Sequence, residues 1–379
     1  MRISIRIISL SLLSSISFFS CTDKNSTSAS TMKPALTIEK IKENIEAGEL
    51  LETQSPFAQR DFDPYLDGKW IGNAISYGCY REGQAPDEIG PTEDQILEDL
   101  NILKDHWNLI RIYGSDVDSE RVLKVIRDKK LPFKVMLGVW LENETKHPER
   151  LQENIDQVLK AIELGREYMN ILAAINVGNE ALVDWSFHRM EQPNLIKYLR
   201  YVRNNVSVPV TVADDYNFWN KSHSKEVANE IDFIVTHAYA LWNGRTLADA
   251  ISWTDSIVTQ QLKSIHPDKV IALGETGWAT TYNPDKKGPG EQGTLIKGKV
   301  GLEAQQEFIT LLNDWTNKTQ VTTFLFEAFD EPWKGGGSDS GPNEVEKHWG
   351  VFYENRQPKP SFQGFLEQKK KESTTSNPK

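Results

Sequence analysis

Eight short apolar runs recur along the chain, and stretches with helical periodicity separate most of them. An apolar run of this length between helices is typical of a strand buried on both faces, and regular alternation predicts a parallel sheet. The predicted strands are residues 70–77, 109–113, 133–139, 171–177, 208–212, 233–237, 270–273 and 323–326. Eight such units predict an α/β fold, a closed (β/α)8 TIM barrel in one domain. The alternative, a doubly wound open sheet, needs a glycine-rich phosphate turn after the first strand, which residues 78–83 do not supply.

Helical periodicity fills the intervals between the strands. The predicted helices are 93–104, 120–129, 148–167 and 193–204, and Thr92 followed by early acidic residues is a plausible start for the first of them. A further short helix is expected over 38–51, as an extension packed on the outside of the domain.

The two ends of the chain differ from the part between them. Arg2 and Arg6 precede an apolar stretch, 7–19, that is too short to span a bilayer stably, so residues 1–20 are predicted to be an export signal. This stretch ends in Phe-Phe-Ser-Cys21, which resembles a bacterial lipoprotein cleavage site with Cys21 as the lipidated residue. Residues 21–37 are then predicted to form a flexible tether, 38–366 the folded domain, and 367–379 a disordered tail. The protein is thus expected to be exported and anchored only by its lipid to a bacterial membrane, the outer membrane, on its surface or its periplasmic face.

Composition excludes several classes of function. A formal net charge of −11 argues against a nucleic-acid partner. The seven histidines show no HxH or HExxH spacing and no GxSxG elbow occurs, so neither a metal site, a cofactor nor an esterase is predicted. Without Cys21, Cys79 is the remaining cysteine; we predict a buried thiol without chemistry, and a monomeric protein.

Two of the predicted strands end abruptly in a carboxylate, Glu180 and Glu275. In parallel barrels the chemistry lies at the carboxyl ends of the strands, so these two glutamates are expected to share one mouth. Sugar hydrolysis needs such a pair, one group to protonate the leaving oxygen and one to attack the anomeric carbon. We assign Glu180 as acid/base and Glu275 as nucleophile, with Asn179 holding the 2-hydroxyl of the sugar and small neighbours of Glu275 leaving room for substrate.

Tryptophans follow five predicted strand ends, at positions 140, 219, 242, 278 and 333. Flat aromatic faces suit the apolar faces of pyranose rings. Two or three of the five are expected to stack on sugar and the others to pack in the core; Trp242 and Trp278 are the favoured sugar-binding pair.

Several motifs, in the correct order, resemble glycoside hydrolase family 17, the β-1,3-glucanase family. Val177-Gly-Asn-Glu-Ala181 is similar to its acid/base motif and Leu273-Gly-Glu-Thr-Gly-Trp278 to its nucleophile motif. Further matches are Leu109-Ile-Arg-Ile-Tyr-Gly-Ser-Asp116, Val135-Met-Leu-Gly-Val-Trp140, Val210-Thr-Val-Ala-Asp214, Phe326-Glu-Ala-Phe-Asp-Glu-Pro-Trp-Lys334 and Glu346-Lys-His-Trp-Gly-Val-Phe352.

The resemblance implies a (β/α)8 barrel and hydrolysis with retention, without a metal. It also implies a hydrogen bond from Tyr239 to the nucleophile, and further substrate-binding positions at Tyr77, Tyr113, Glu331, Lys334 and Glu346. From the residues alone, Glu331 and Lys334 could equally form a simple surface ion pair.

The function expected from the sequence is a retaining, endo-type β-1,3-glucanase acting on laminarin-like glucans. Three alternatives stay open at this point: a β-1,3-glucan transglycosylase, an exo-acting β-1,3-glucanase on the same site, and a surface glycan-binding lipoprotein without catalysis. The long loop at 280–300 leaves the cleavage pattern undetermined, because loops shape the cleft.

Overall fold

The computed structural model describes residues 36–53, 57–335 and 340–375. The chain from Leu36 onward forms one compact unit. Its strands are β1 (Tyr65–Leu66), β2 (Lys69–Trp70), β3 (Asn73–Ser76), β4 (Leu109–Arg111), β5 (Lys134–Val139), β6 (Leu172–Asn179), β7 (Val210–Asp215), β8 (Phe233–His237), β9 (Ile271–Thr276) and β10 (Thr323–Leu325).

Helices follow most of the strands. They are α1 (Ile38–Glu46), α2 (Glu93–Leu103), α3 (Val117–Lys129), α4 (Leu151–Glu167), α5 (Gln192–Asn205), α6 (Tyr216–Trp219), α7 (Ser224–Ala228), α8 (Leu247–Asp255), α9 (Leu262–Ile265), α10 (Gln292–Leu295), α11 (Leu302–Thr319) and α12 (Pro360–Thr375). A π-helical stretch, Ser256–Gln261, joins α8 to α9, and short 3-10 turns lie at Pro148–Arg150 and Val345–Lys347.

Eight parallel strands close into a barrel in the order β10-β3-β4-β5-β6-β7-β8-β9. The predicted TIM barrel is therefore confirmed and the open sheet is excluded. One apolar cluster takes residues from all eight barrel strands, many of them alanine, and fills the barrel interior. The larger cluster lies between the strands and the helices. Phe62 stacks on Phe233 with ring centroids 4.1 Å apart and packs against the interior cluster.

Local capping explains where two helices begin. Thr92 caps α2, as the sequence predicted, and the Gln95 side chain completes a reciprocal capping box. Helix α3 begins three residues before the predicted position, because the Asp116 carboxylate accepts hydrogen bonds from the backbone N–H groups of Asp118 and Ser119.

Some predicted boundaries were wrong. The first predicted strand splits, because Trp70 pairs with Tyr65 in the antiparallel β1–β2 hairpin and the barrel strand starts only at Asn73. The helix expected over 38–51 ends at Glu46. The tail predicted to be disordered from 367 is instead the last part of α12 as far as Thr375.

The export signal, Cys21 and most of the tether, 1–35, lie outside the described residues, as do 54–56, 336–339 and 376–379. The glycine-rich part of the loop that follows β10 therefore falls partly among them. Within the described parts of the chain, no helix has both the length and the apolar character needed to cross a membrane.

Candidate active site

Both predicted carboxylates lie at the mouth of the barrel formed by the carboxyl ends of its strands. Glu180 follows β6, the fourth barrel strand, and Glu275 is near the end of β9, the seventh. Both side chains line one open cavity of about 1380 Å³. The pattern of strands ending in a carboxylate therefore located this pair correctly.

The backbone around Glu180 has an unusual conformation. Gly178 has a φ of +81°, and Glu180 itself has a φ of +49° in the left-handed region that few side chains adopt. A Cβ atom at Gly178 would lie 2.9 Å from a methyl carbon of Leu195, so glycine also allows close approach of α5. This turn directs Glu180 into the cavity, where 19% of its side chain is exposed.

Two side chains hold Glu275 by hydrogen bonds. The Arg111 guanidinium donates to Oε1 at 2.6 Å, and the Tyr239 hydroxyl donates to Oε2 at 2.8 Å. Burial by itself would raise the pKa of Glu275, but the charges of His237 and Arg111 and the hydrogen bonds from Tyr239 and Arg111 outweigh it. The pKa of Glu275 is therefore below its ordinary value. The Tyr239 contact is the one that the family resemblance implied.

His237, at the end of β8, is buried between the two carboxylates. Its Nδ1 lies 2.9 Å from Oε1 of Glu180, and its Nε2 lies 3.5 Å from Oε1 of Glu275. One oxygen of Glu180, one of Glu275 and one ring nitrogen of His237 all lie within 4.8 Å of one another. The imidazole thus lies between the two carboxyl groups, hydrogen-bonded to Glu180 and close to Glu275.

The sequence analysis did not select Arg111 or His237. Arg111 also donates to Oδ1 of Asn179 at 2.5 Å, so one buried guanidinium orients two site residues. The available signal was a charged residue inside an apolar run, because a buried arginine requires partners. His237 offered a similar signal as the last residue of a buried strand.

The glycines beside Glu275 have a different role from the one expected. A Cβ atom at Gly274 would lie 2.3 Å from Val235 and 3.2 Å from the His237 ring, and one at Gly277 would lie 2.2 Å from the carbonyl oxygen of Phe326. These small residues make room for neighbouring protein atoms, and the expectation that they make room for substrate was wrong.

A charged cluster lies beside the pair. The Lys334 ammonium is 2.6 Å from Glu327 and 2.5 Å from Glu331. All three side chains are largely buried, which excludes the surface ion pair considered above. Burial raises the pKa of Glu327. Burial also opposes ionisation of Glu331, but Lys334 and hydrogen bonds from its neighbours outweigh it and lower the pKa of Glu331.

Glu346 also lines the cavity. Burial is the largest cause that raises its pKa, to about 7, and the carboxylates of Glu180 and Glu275 add to this effect against the opposing charge of Lys334. The charge of Glu346 therefore changes near neutral pH, close to the catalytic pair.

The five tryptophans divide into two groups. Trp140, Trp242 and Trp333 line the cavity, whereas Trp219 and Trp278 are in the core. Trp278 is only 1% exposed, packs against Phe308 and donates from its indole to the carbonyl oxygen of Lys299. The prediction that Trp278 binds substrate is therefore corrected.

The two tyrosines predicted on the first two strands both line the cavity. The hydroxyl of Tyr77 points away from it and donates to the buried Asp99 at 3.1 Å. Tyr113 lies over the Arg111 guanidinium, whose carbon is 4.5 Å from the ring centroid. Tyr77 thus contributes ring surface without its hydroxyl.

Among the further lining residues that the sequence analysis missed are Trp185 and Asp215. Trp185 lies in the loop that follows Glu180 and is 60% exposed. Asp215 is the last residue of β7 and pairs in register with His237 on β8. Burial is the main cause that raises the pKa of Asp215, to about 6, and the charge of Glu180 adds to it.

The cluster of Glu180, His237 and Glu275 has the composition of a cation site. Oε1 of Glu275 already accepts from the Arg111 guanidinium, which places a positive charge where a cation would bind. The donor set is therefore better suited to holding protons than to binding a metal.

A closed (β/α)8 barrel with paired carboxylates at its mouth defines the chain as a barrel glycoside hydrolase. The model for the BtgE/BtgC glycoside hydrolase domain matches residues 74–350, and the chain belongs to this family, within glycoside hydrolase family 17.

Two fungal relatives illustrate the relationship. The chain is 29% identical over 296 residues to a glucan 1,3-beta-glucosidase of Arthroderma benhamiae, a match that covers 75% of this chain and 88% of the relative. It is 27% identical to a glucan endo-1,3-beta-glucosidase of Emericella nidulans, a match that covers 73% of this chain but only 43% of that longer protein.

Two solved structures share the fold. An endo-laminarinase from Formosa superposes with a TM-score of 0.66 at 23% identity, covering 79% of this chain and 88% of that one. A family 17 beta-1,3-glucanosyltransferase from Rhizomucor miehei gives a TM-score of 0.61 at 21% identity, covering 76% and 96%.

Proposed function

We propose that this protein hydrolyses β-1,3-glucan internally and with retention of anomeric configuration. The observation that carries the proposal is the short separation of the two carboxylates, with oxygens within 4.8 Å. Retaining glycosidases hold their carboxyl groups about 5–5.5 Å apart, whereas inverting enzymes need about 6.5–9.5 Å to admit a water molecule. The names of the relatives support β-1,3-glucan as the substrate.

In the first step, Glu275 attacks the anomeric carbon as a carboxylate, and Glu180 gives its proton to the leaving oxygen. Arg111 and Tyr239 keep Glu275 ionised and aimed. Because Asn179 accepts from Arg111 through its oxygen, its amide NH₂ is left to donate to the 2-hydroxyl of the sugar. That hydrogen bond strengthens in the transition state of such reactions.

In the second step, Glu180 acts as a base and takes a proton from water, which attacks the anomeric carbon and releases Glu275. His237 contacts Glu180 in both steps and limits the movement of its carboxyl group. Glu275 therefore supplies the nucleophile, and Glu180 donates a proton in the first step and recovers one from water in the second.

The charge of the cavity favours a neutral sugar polymer. Among the described residues that line it are ten carboxylate side chains and one ammonium group, that of Lys334. A uronate or sulfated chain would be repelled by this surface. Tryptophans follow barrel strands on opposite sides of the mouth, Trp333 after β10 and Trp185 after β6, which supports binding along a chain and hence internal cleavage.

Glu275→Ala tests the assignment most directly. The variant should lose at least about 10³-fold in turnover on laminarin. With laminaribiosyl fluoride of β configuration and added azide, it should form the α-configured azide, because azide occupies the place of the missing carboxylate. Glu180→Ala with a good leaving group and azide should form the β-configured product. Near-normal activity of Glu275→Ala on laminarin, or initial release of inverted sugar by the unaltered protein, contradicts the proposal.

From the sequence of the first residues, we also propose that the protein is exported and anchored by a lipid. We further propose that it is a monomer. In a bacterial host, Cys21→Ser should move the protein from the membrane to the soluble fraction, and mass spectrometry should find a diacylglyceryl group on Cys21 of the unaltered protein. A soluble, unmodified protein would exclude the anchor. The oligomeric state is measured by light scattering on the folded domain without the predicted tether.

A further inference from the structure

The side of the mouth formed by the loops after β6, β7 and β8 has features that the catalytic steps do not use. Apart from the catalytic pair and Tyr239, five lining residues lie there: Trp185, Asp215, Asn217, Trp242 and Asn243. Two flat aromatic groups and several polar groups on one side of a proton donor have the composition of a sugar-binding site.

The loop that carries Trp185 is fixed at both ends. The backbone N–H of Leu182 donates to the buried carboxylate of Asp214 at 2.8 Å, and His188 contacts the carbonyl oxygen of Asn179 through Nε2 at 2.6 Å. The N–H of Met190 closes the loop on the carbonyl oxygen of Ala181. Trp185 is therefore presented on a short, anchored loop, five residues after the acid/base.

Asp215 presents a carboxylate to the same space. Its Oδ1 accepts from both the backbone and the side-chain amide of Asn217, at 2.8 and 2.7 Å. Among the described residues, no donor is directed at its Oδ2. The backbone N–H of Glu180 donates to the carbonyl oxygen of Ala213 on the neighbouring strand β7. Asp215 therefore lies beside the acid/base, two residues closer to the carboxyl end of β7 than this hydrogen bond.

The position of Glu180 determines what occupies this side. The proton donor must touch the glycosidic oxygen, so the sugar bonded to Glu275 lies on one side of that oxygen and the leaving sugar on the other. Asn179 and Tyr239 line the cavity beside Glu275, where the first sugar lies. The space beside Glu180, away from Glu275, remains for the second sugar.

We propose that Trp185 and Asp215 form the binding site for the glucose unit that leaves, and for any sugar that enters in its place. The inference rests on the proposed function. Trp185 stacks on one face of that unit and Oδ2 of Asp215 accepts from one of its hydroxyl groups. An incoming sugar held in this way replaces water in the second step: its hydroxyl oxygen bonds to the anomeric carbon, the bond from that carbon to Glu275 breaks, and its proton goes to Glu180.

The test compares Trp185→Ala and Asp215→Asn with Phe187→Ala, which alters a residue of the same loop that is 86% exposed and outside the cavity lining. We expect each of the first two changes to lower kcat/KM on laminaripentaose by about 5–10-fold, as loss of one stacking contact or one hydrogen bond to a charge does. Laminaribiosyl fluoride, whose leaving group is one atom, should be hydrolysed within about twofold of the normal rate. Phe187→Ala should change neither rate.

Added laminaribiose gives a second readout. Products longer than the donor should decrease about fivefold relative to hydrolysis in Trp185→Ala and Asp215→Asn. Equal losses on laminaripentaose and on the fluoride, or no loss on either, overturn the inference.

Binding separates this inference from the proposed function. In a Glu275→Ala background, calorimetry with laminaripentaose should show weaker binding when Asp215→Asn or Trp185→Ala is added, whether or not the unaltered protein cleaves laminarin. Unchanged binding in these double variants contradicts the inference. If the unaltered protein binds laminarin but releases no reducing sugar, only the hydrolase proposal is contradicted.

Discussion

Two sides of the barrel mouth differ in how they are built. The charged side, Glu327, Glu331 and Lys334 after β10, is buried and joined by ion pairs of 2.5 and 2.6 Å. The aromatic side, Trp185 and Trp242 after β6 and β8 with the buried Asp215 after β7, lines the cavity, and Trp185 is largely exposed. Buried charges need fixed partners, whereas a surface that must accept successive sugars needs exposed flat faces. The charged side is therefore expected to govern stability and charge, and the aromatic side affinity for sugar.

Lys334→Met should have the largest effect on the charged side. It leaves Glu331 ionised and buried without a counter-ion, so we expect a loss of about 3–5 kcal/mol in the free energy of unfolding by urea. Because the folded pKa of Glu331 is lowered, the stability that it contributes is present above its ordinary pKa of 4.5 and is lost as the pH falls further. The loss should therefore be larger at about pH 7 than at about pH 4.

The double variant Lys334→Met with Glu331→Gln is the matched control, because it removes both charges together. It should recover most of the lost stability. Equal stability of Lys334→Met and the unaltered protein at neutral pH would remove the distinction between the two sides.

Trp242→Ala addresses the aromatic side. Loss of a stacking face should raise KM for laminarin oligosaccharides by about tenfold, while the free energy of unfolding changes by less than about 1 kcal/mol. Steady-state kinetics and urea unfolding on the same preparation measure both. A stability loss as large as that of Lys334→Met would show that this side is also structural.

Glu346→Gln should have the smallest effect, on the pH profile. The pKa of Glu346 is about 7, so its ionisation adds negative charge near the acid/base as the pH rises, and this charge helps to retain the catalytic proton. Without it, the alkaline limb of kcat/KM should move to lower pH by about 0.5 unit, while the acid limb changes little. An alkaline limb that moves to higher pH contradicts this account.

The fold and the catalytic pair were accessible from the sequence because both depend on local pattern. Apolar runs mark buried strands whatever their partners are, and a carboxylate at a strand end must lie at the barrel mouth once the barrel closes. Trp278 shows where this reasoning ends. Trp278 follows β9 just as Trp242 follows β8, so the sequence gives both the same expected place at the mouth. Position after a strand does not determine whether the indole points into the cavity or packs against a helix.

Residues that act through distant partners were the hardest to predict. Arg111 and Glu275 are separated by 164 residues, yet their contact fixes the charge of the nucleophile. Asp215 appeared to be an ordinary polar residue after a strand, and only its register with His237 revealed its position beside the acid/base.

The sequence by itself determined the alternation of eight strands with helices, the closure of the barrel and the two glutamates at its mouth, because each follows from periodicity and chain order. The tertiary structure decided which charges are buried, which tryptophans face the cavity and how far apart the two carboxylates are. Those properties depend on contacts between strands and loops far apart in the chain, where burial and charge set the energy, and no local pattern records them.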